Sequence, residues 1–151
     1  MAFQASERLR FCRFSELGRL YLLTCQVQGR VPIFEDLWLA RLVVQQFRQA
    51  ESEGQVESLA WIVMPDHLHW LVELKAGTLS SLMQRFKSRS ARAVNQARGC
   101  SGRMWQSGFH DRALRREDDV LAVARYIVAN PLRAGLVKSV RDYPHWDAVW
   151  L

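Results

Sequence analysis

The chain has 151 residues, 49% of apolar types and 24% charged, a balance that allows one hydrophobic core and excludes a disordered polar chain. No run of about 18 apolar residues exists for a membrane span, and the stretch from Met1 to Arg19 mixes charges with Phe and Leu and has no export-type apolar centre. The net charge of +6 is unevenly spread: between Lys75 and Arg116 stand ten Lys or Arg and one acid, Asp111, for +9, and the remainder sums to −3.

These features predict a single domain over residues 1–151. Cys12, Cys25 and Cys100 are odd in number, far apart and in no C-x-x-C spacing, so they read as free thiols in a reducing, cytoplasmic compartment. The clustered positive charge points to a polyanion, nucleic acid first, with a merely solvated basic helix face as the plain alternative.

In chain order, Tyr21 to Val27 is a short β-prone run, punctuated by Gly29, Arg30 and Pro32, and predicts a first strand. From Glu35 to Glu51, Leu39, Leu42, Val43, Phe47 and Ala50 recur at three- and four-residue spacing before Gly54, which predicts a helix. Val56 to Met64 and His67 to Leu74 are apolar runs joined by Pro65 and Asp66, and they predict a β-hairpin rich in β-branched and aromatic residues. A second helix is expected from about Leu79 to Arg98, with Leu79, Leu82, Met83, Phe86, Ala93, Val94 and Ala97 as its apolar stripe. Arg85, Arg89 and Arg92 line up away from that stripe.

The Gly-rich stretch from Gly99 to Gly108 predicts a loop that anchors Trp105 and Phe109 in the core, with base stacking as their functional alternative. Arg112 to Leu114 predicts a short fourth strand. Glu117, Asp118 and Asp119 place negative charge at the start of a third helix, which Asn130 and Pro131 end, because a residue before proline avoids the α region. The tail from Tyr143 to Leu151, with Trp146 and Trp150, is expected to pack on the body. The order β, α, β, β, α, β and then a helix predicts an α+β fold: a ferredoxin-like, split βαβ antiparallel sheet with helices on one face and an added C-terminal helix bearing a tyrosine.

Chemistry concentrates in M-P-D-H-L-H-W-L-V-E. Alternate side chains of a strand share a face, so His67 and His69 point the same way and can grip one cation between them, while Leu68, Trp70 and Val72 pack on the other side. Two structural histidines are the plain alternative. In A-R-Y-I-V-A-N-P-L-R-A-G-L-V, Tyr126 and Asn130 are one helical turn apart and share a face, while Val120, Ala124, Ile127 and Val128 can face the sheet.

Five segments then make the chain recognisable: Tyr21 to Phe34, Ala60 to Val72, Phe86 to Arg92, Met104 to Arg115 and Tyr126 to Val137. In this order and spacing they resemble the REP-associated tyrosine transposases, a branch of the single-tyrosine HUH transposases. The resemblance implies a ferredoxin-like fold, Tyr126 as nucleophile, and His67, His69 and Asn130 as ligands of a divalent metal. The family's use of Mg²⁺ or Mn²⁺ favours those ions, with zinc as the rival by ligand type. It further implies action on single-stranded DNA bearing palindromic hairpins, through a 5′-phosphotyrosine link and a free 3′-hydroxyl. A monomer is expected, with a dimer as the alternative.

Arg85, Lys87, Arg89, Arg92, Arg112, Arg115 and Arg116 are the candidate phosphate contacts, and Gln106 and Asp111 are candidate accessory residues. A reading from another class is a hairpin-binding module in which Tyr21, Trp61 and Trp70 stack RNA bases on the sheet. A domesticated transposase that nicks or binds host palindromes is a third.

Overall fold

The computed structural model describes residues 15–115 and 117–148. The readings of Cys12, Arg116 and Trp150, and of the side chains of Glu117, Asp118 and Asp119, fall outside what is described.

The elements are β1 (Leu20–Gln26), α1 (Leu37–Ser52), β2 (Val56–Met64), β3 (His67–Leu74), α2 (Leu79–Arg98), β4 (His110–Ala113), α3 (Glu117–Val128), the short α4 (Asn130–Arg133) and β5 (Trp146–Ala148). They build one five-stranded sheet in the order β4-β1-β3-β2-β5. Every pairing is antiparallel. The first four strands thus have the ferredoxin-like order expected from the sequence.

Each face of the sheet carries its own apolar cluster. On one, Tyr21, Leu23, Cys25, Leu68, Trp70 and Val72 pack with residues of α1 and α2. On the other, Ala60, Ile62, Met64 and Leu71 pack with Val120, Val123, Ala124, Ile127 and Val128 of α3. The tyrosine helix therefore lies on the face opposite α1 and α2. Coverage from both sides explains why β2 and β3 are nearly continuous apolar runs rather than simple alternations.

The centre of the first cluster is aromatic. Phe47 of α1 stacks on Phe86 of α2 with centroids 5.2 Å apart and contacts Trp70 at 4.7 Å and Trp61 at 5.3 Å. The buried indole of Trp70 donates to Ser58 Oγ at 2.9 Å, and that of Trp105 to Ser90 Oγ at 2.9 Å, so the ring N–H groups are satisfied where water is excluded. Trp105 and Phe109 are core residues, not stacking platforms. Tyr21, Trp61 and Trp70 are only 3%, 9% and 0% exposed beneath the helices, which removes the base-stacking sheet from consideration.

β1 starts and ends one residue earlier than expected, β4 covers His110–Ala113 rather than Arg112 to Leu114, and helix boundaries differ too. α1 begins at Leu37 rather than Glu35, because a 3₁₀ turn follows Pro32 and the Asp36 side chain caps the helix, accepting from Trp38 N at 2.9 Å and Leu39 N at 3.4 Å. α3 stops at Val128 and restarts as α4 around Pro131, which lacks the N–H that a continuous helix would need. As far as Ala148 the tail packs on the body as expected, and does so as a strand: β5 pairs with β2, and the Tyr143 hydroxyl donates to Val63 O at 2.6 Å.

Replacing Phe47 with Ala should lower unfolding free energy by about 3–5 kcal/mol, because the surrounding rings cannot collapse into the space. Urea denaturation measures this, and a loss under about 1 kcal/mol would show that the aromatic cluster is not the centre of the core.

Candidate active site

The pleat of β3 builds the site. His67, His69 and Leu71 turn to the α3 face, whereas Leu68, Trp70 and Val72 turn to α1 and α2. The two imidazoles sit with centroids 5.1 Å apart and planes at 78°. In the antiparallel register Gln26 of β1 lies opposite His67 and Thr24 opposite His69, and His110 of β4 lies opposite Thr24. His110, Thr24 and His69 therefore form a polar row across three strands on one face.

Each histidine is tethered through the same ring atom. Thr24 Oγ1 bonds His69 Nδ1 at 2.9 Å, and Asp66 Oδ1 bonds His67 Nδ1 at 2.7 Å. At His67 the carboxylate can only accept, so a neutral ring carries its proton on Nδ1 and leaves the Nε2 lone pair for a further partner, the arrangement that orients metal-ligating histidines; at His69 the ring or the hydroxyl can donate. Asp66 is itself held by Arg30, whose Nε donates to Oδ2 at 2.8 Å. Arg30 has a φ of 56°, a left-handed conformation that L side chains other than Asn and Asp seldom adopt. That turn brings the guanidinium to the carboxylate.

The electrostatics follow from this geometry. Burial pushes the Asp66 carboxyl up, but hydrogen bonds from His67 and Arg30 outweigh it and hold the group below its ordinary value of 3.8. Burial, then the charges of His67 and Arg133, lower His69 from 6.5 to about 4. His69 is thus neutral near pH 7.

On the helix side, Ile127 and Val128 enter the core while Tyr126 points outward, 55% exposed. The Arg133 guanidinium lies over its ring, 3.7 Å from the centroid, and Nη2 donates to Tyr126 O at 2.7 Å. Asn130 begins α4, and its buried Nδ2 finds no hydrogen-bond partner among the described residues. Tyr126 and Asn130 share a turn, but one ring is presented to solvent and the other side chain buries its amide nitrogen.

The structure separates the candidate phosphate contacts. Arg85, Lys87, Arg89 and Arg92 belong to α2, which packs on the face away from the histidines. Lys87 Nζ donates to the carbonyls of Gln106 and Gly108 at 2.7 and 2.6 Å, securing the loop before β4. Arg89 forms a forked pair with Glu53, at 2.7 and 3.3 Å, whose carboxyl is held below its ordinary value chiefly by that bond. Arg85 adds its charge to the same carboxylate, and Arg92 is exposed.

Arg112, opposite Leu22 in the register, stands on the histidine face, with Arg115 just beyond the strand. Asp111 lies opposite the buried Leu23 and so belongs to the α1 and α2 face, away from the histidines. Gln106 is joined by its backbone N–H to Gln26 O at 2.8 Å, beside the His67 row. Thr24, Arg30, Asp66 and Arg133 were not among the residues singled out from the sequence. Asp66 precedes His67 directly, so adjacency could have suggested it, whereas Arg133 lies beyond the end of the tyrosine helix and is placed by the tertiary structure.

A strand presenting two Nδ1-tethered histidines toward a tyrosine helix on a ferredoxin-like sheet is a specific arrangement, and comparison with known proteins places it. The profile of the family described as Transposase IS200 like matches residues 20–130.

The chain belongs to the IS200-like transposase family.

The REP-associated tyrosine transposase of Escherichia coli K12 is 33% identical over 98 residues, covering 64% of this chain. The matched stretch spans 56% of that protein's length. A relative from Haemophilus influenzae is 26% identical over 144 residues, covering 85% of this chain and 78% of its own length. Among solved structures, a REP-associated tyrosine transposase bound to a REP hairpin superposes with a TM-score of 0.75 at 25% identity, covering 89% of this chain and 79% of that one. The sequence-based resemblance and the family match agree.

The lowered proton affinity of His69 has a stability consequence in the metal-free protein. Between pH 6.5 and about 4 the unfolded chain protonates this histidine and the folded one does not. Stability should therefore fall with decreasing pH across that window, by up to about 1.4 kcal/mol per pH unit per such group, and the His69 contribution should level off below it. His145, lowered by burial and by Arg41, acts in the same direction. Urea unfolding in EDTA at several pH values should show the slope, and His69→Gln should flatten it; an equal slope in the variant would remove His69 as its source.

Proposed function

We propose that this protein is a single-strand DNA endonuclease and strand transferase acting on palindromic, REP-type hairpins, with Tyr126 as nucleophile. One observation carries the reading: two histidines tethered through Nδ1 stand on the sheet face that also bears the tyrosine helix. The hairpin substrate is inferred from the relative solved with a REP hairpin.

In the proposed reaction the Tyr126 phenol oxygen forms a bond to phosphorus of the scissile phosphodiester as the bond from phosphorus to O3′ breaks. The phenol proton passes to solvent and the departing oxygen gains one to become a 3′-hydroxyl. A 3′-hydroxyl attacking the phosphotyrosine reverses these changes and joins strands with no nucleotide cofactor. A phenol attacks well only as it gives up its proton, so positive charge near the site favours the step.

His67, His69 and Asn130 suit a divalent cation, Mg²⁺ or Mn²⁺. The Nδ1 tether of His67 to the Asp66 carboxylate supports this assignment; the unpartnered atom of Asn130 is its Nδ2, a donor, so Asn130 would ligate through Oδ1 and its part rests on the resemblance. Among the described residues no three of His, Cys, Asp and Glu gather as a ligand set, which argues against a closed structural zinc site. When bound, the ion supplies charge neutralisation at the phosphate. Asp66 and Thr24 orient the two rings, and the chain's own cations add to the field. Arg112 and Arg115 are the phosphate contacts on the histidine face. Arg85 and Arg92 can reach only DNA that wraps to the far side, because α2 lies across the sheet from the histidines.

Incubation with Mn²⁺ and hairpin oligonucleotides should give a covalent protein-DNA band that Tyr126→Phe abolishes and EDTA suppresses. A band that persists in Tyr126→Phe would exclude Tyr126 as nucleophile. His67→Ala should lose cleavage while keeping hairpin affinity within about threefold, since phosphate contacts elsewhere dominate binding. Arg112→Ala should reduce the slope of log affinity against log salt by about one and Lys87→Ala should not, as measured by anisotropy titrations. Equal slopes would show that the histidine face is not where the backbone docks.

A further inference from the structure

We infer that Arg133 is a positioning residue for Tyr126, holding the phenol ring by stacking and keeping a fixed positive charge beside the oxygen that attacks the phosphodiester. The inference rests on the proposed role of Tyr126 as nucleophile and goes beyond it.

Tyr126 is exposed, and an exposed phenol left to itself samples several rotamers. Arg133 grips it at two points: the guanidinium covers the ring at 3.7 Å from the centroid, and Nη2 donates to the carbonyl of the same residue at 2.7 Å. The chain path makes this possible. Because α3 ends at Val128 and α4 restarts around the buried Pro131, Arg133 is carried back over Tyr126. The break at Asn130 and Pro131 therefore serves the nucleophile as well as ending a helix.

Arginine suits this task for three reasons. Its plane can lie flat on an aromatic face, its charge persists at every working pH, and the N–H groups not used on the carbonyl can meet a phosphate oxygen. As the phenol loses its proton and the phosphorus gains a fifth oxygen, negative charge grows beside a cation already in place. A stacked ring is likewise aligned before the substrate arrives.

The plain alternative is a C-terminal tie, in which Arg133 only satisfies a helix carbonyl. The two roles separate in full-length variants assayed with a hairpin oligonucleotide and Mn²⁺. Adduct formation is followed at saturating DNA in single turnover, hairpin affinity by anisotropy, and folding by thermal melting. Arg133→Ala should slow adduct formation at saturation by about tenfold or more, with affinity changed by less than about threefold. Arg133→Lys, which keeps the charge and loses the plane, should recover only part of the rate. Added ethylguanidinium should partly restore Arg133→Ala and not Tyr126→Phe.

A wild-type rate in folded Arg133→Ala, or a change confined to the melting temperature or to affinity, overturns the assignment. Absence of any adduct with the wild-type protein overturns the nucleophile reading itself, and this inference with it. A wild-type adduct matched by Arg133→Ala overturns this inference alone.

Discussion

In β3 successive side chains point to opposite faces, so the strand that seats Leu68, Trp70 and Val72 beneath α1 and α2 must turn His67 and His69 toward the face where α3 lies. A slip of one residue would bury the imidazoles among Phe47 and Phe86 and expose Trp70. The core prevents this. Trp70 is anchored by two aromatic contacts, with Phe47 and Phe86, and a hydrogen bond to Ser58, and a register shift between Ser58 and Ala60 accommodates the strand beside β2. The geometry of the candidate site is therefore inherited from packing on the opposite side of the sheet.

The same two-faced sheet sorts the charge. The basic stretch from Lys75 to Arg116 is continuous in sequence, yet α2 carries its first part across the sheet from the histidines. Lys87 and Arg89 are engaged with the loop carbonyls and with Glu53, where they support the body. Arg112 of β4, by contrast, shares a face with His69 because the register sets His110 against Thr24 and Arg112 against Leu22. Net charge alone could not distinguish a cation that docks a phosphate from one that secures a loop.

Around the histidines, partners chosen by topology set the chemistry. Thr24 reaches His69 only because β1 pairs with β3, and Arg30 reaches Asp66 only because the turn after β1 adopts a left-handed residue. Burial then keeps His69 neutral, while two donors keep Asp66 ionised.

Much of this was legible in the residues themselves. The strand alternation of His67 and His69 and the helical stripe from Val120 to Val128 are local patterns that local sterics enforce whatever the rest of the chain does; the stop expected at Asn130 and Pro131 is not one, because α3 ends at Val128 and Asn130 opens α4. The element order, with its short connections, restricted the sheet to a ferredoxin-like arrangement. What sequence could not decide is which face each helix covers, where β5 joins the sheet, and which partners meet across it. Those depend on contacts between residues far apart in the chain, such as Thr24 with His69 and Val63 with Tyr143, and on the kink that returns Arg133 over Tyr126. Periodicity names the side of an element that is buried, but only packing against the other elements says what lies there.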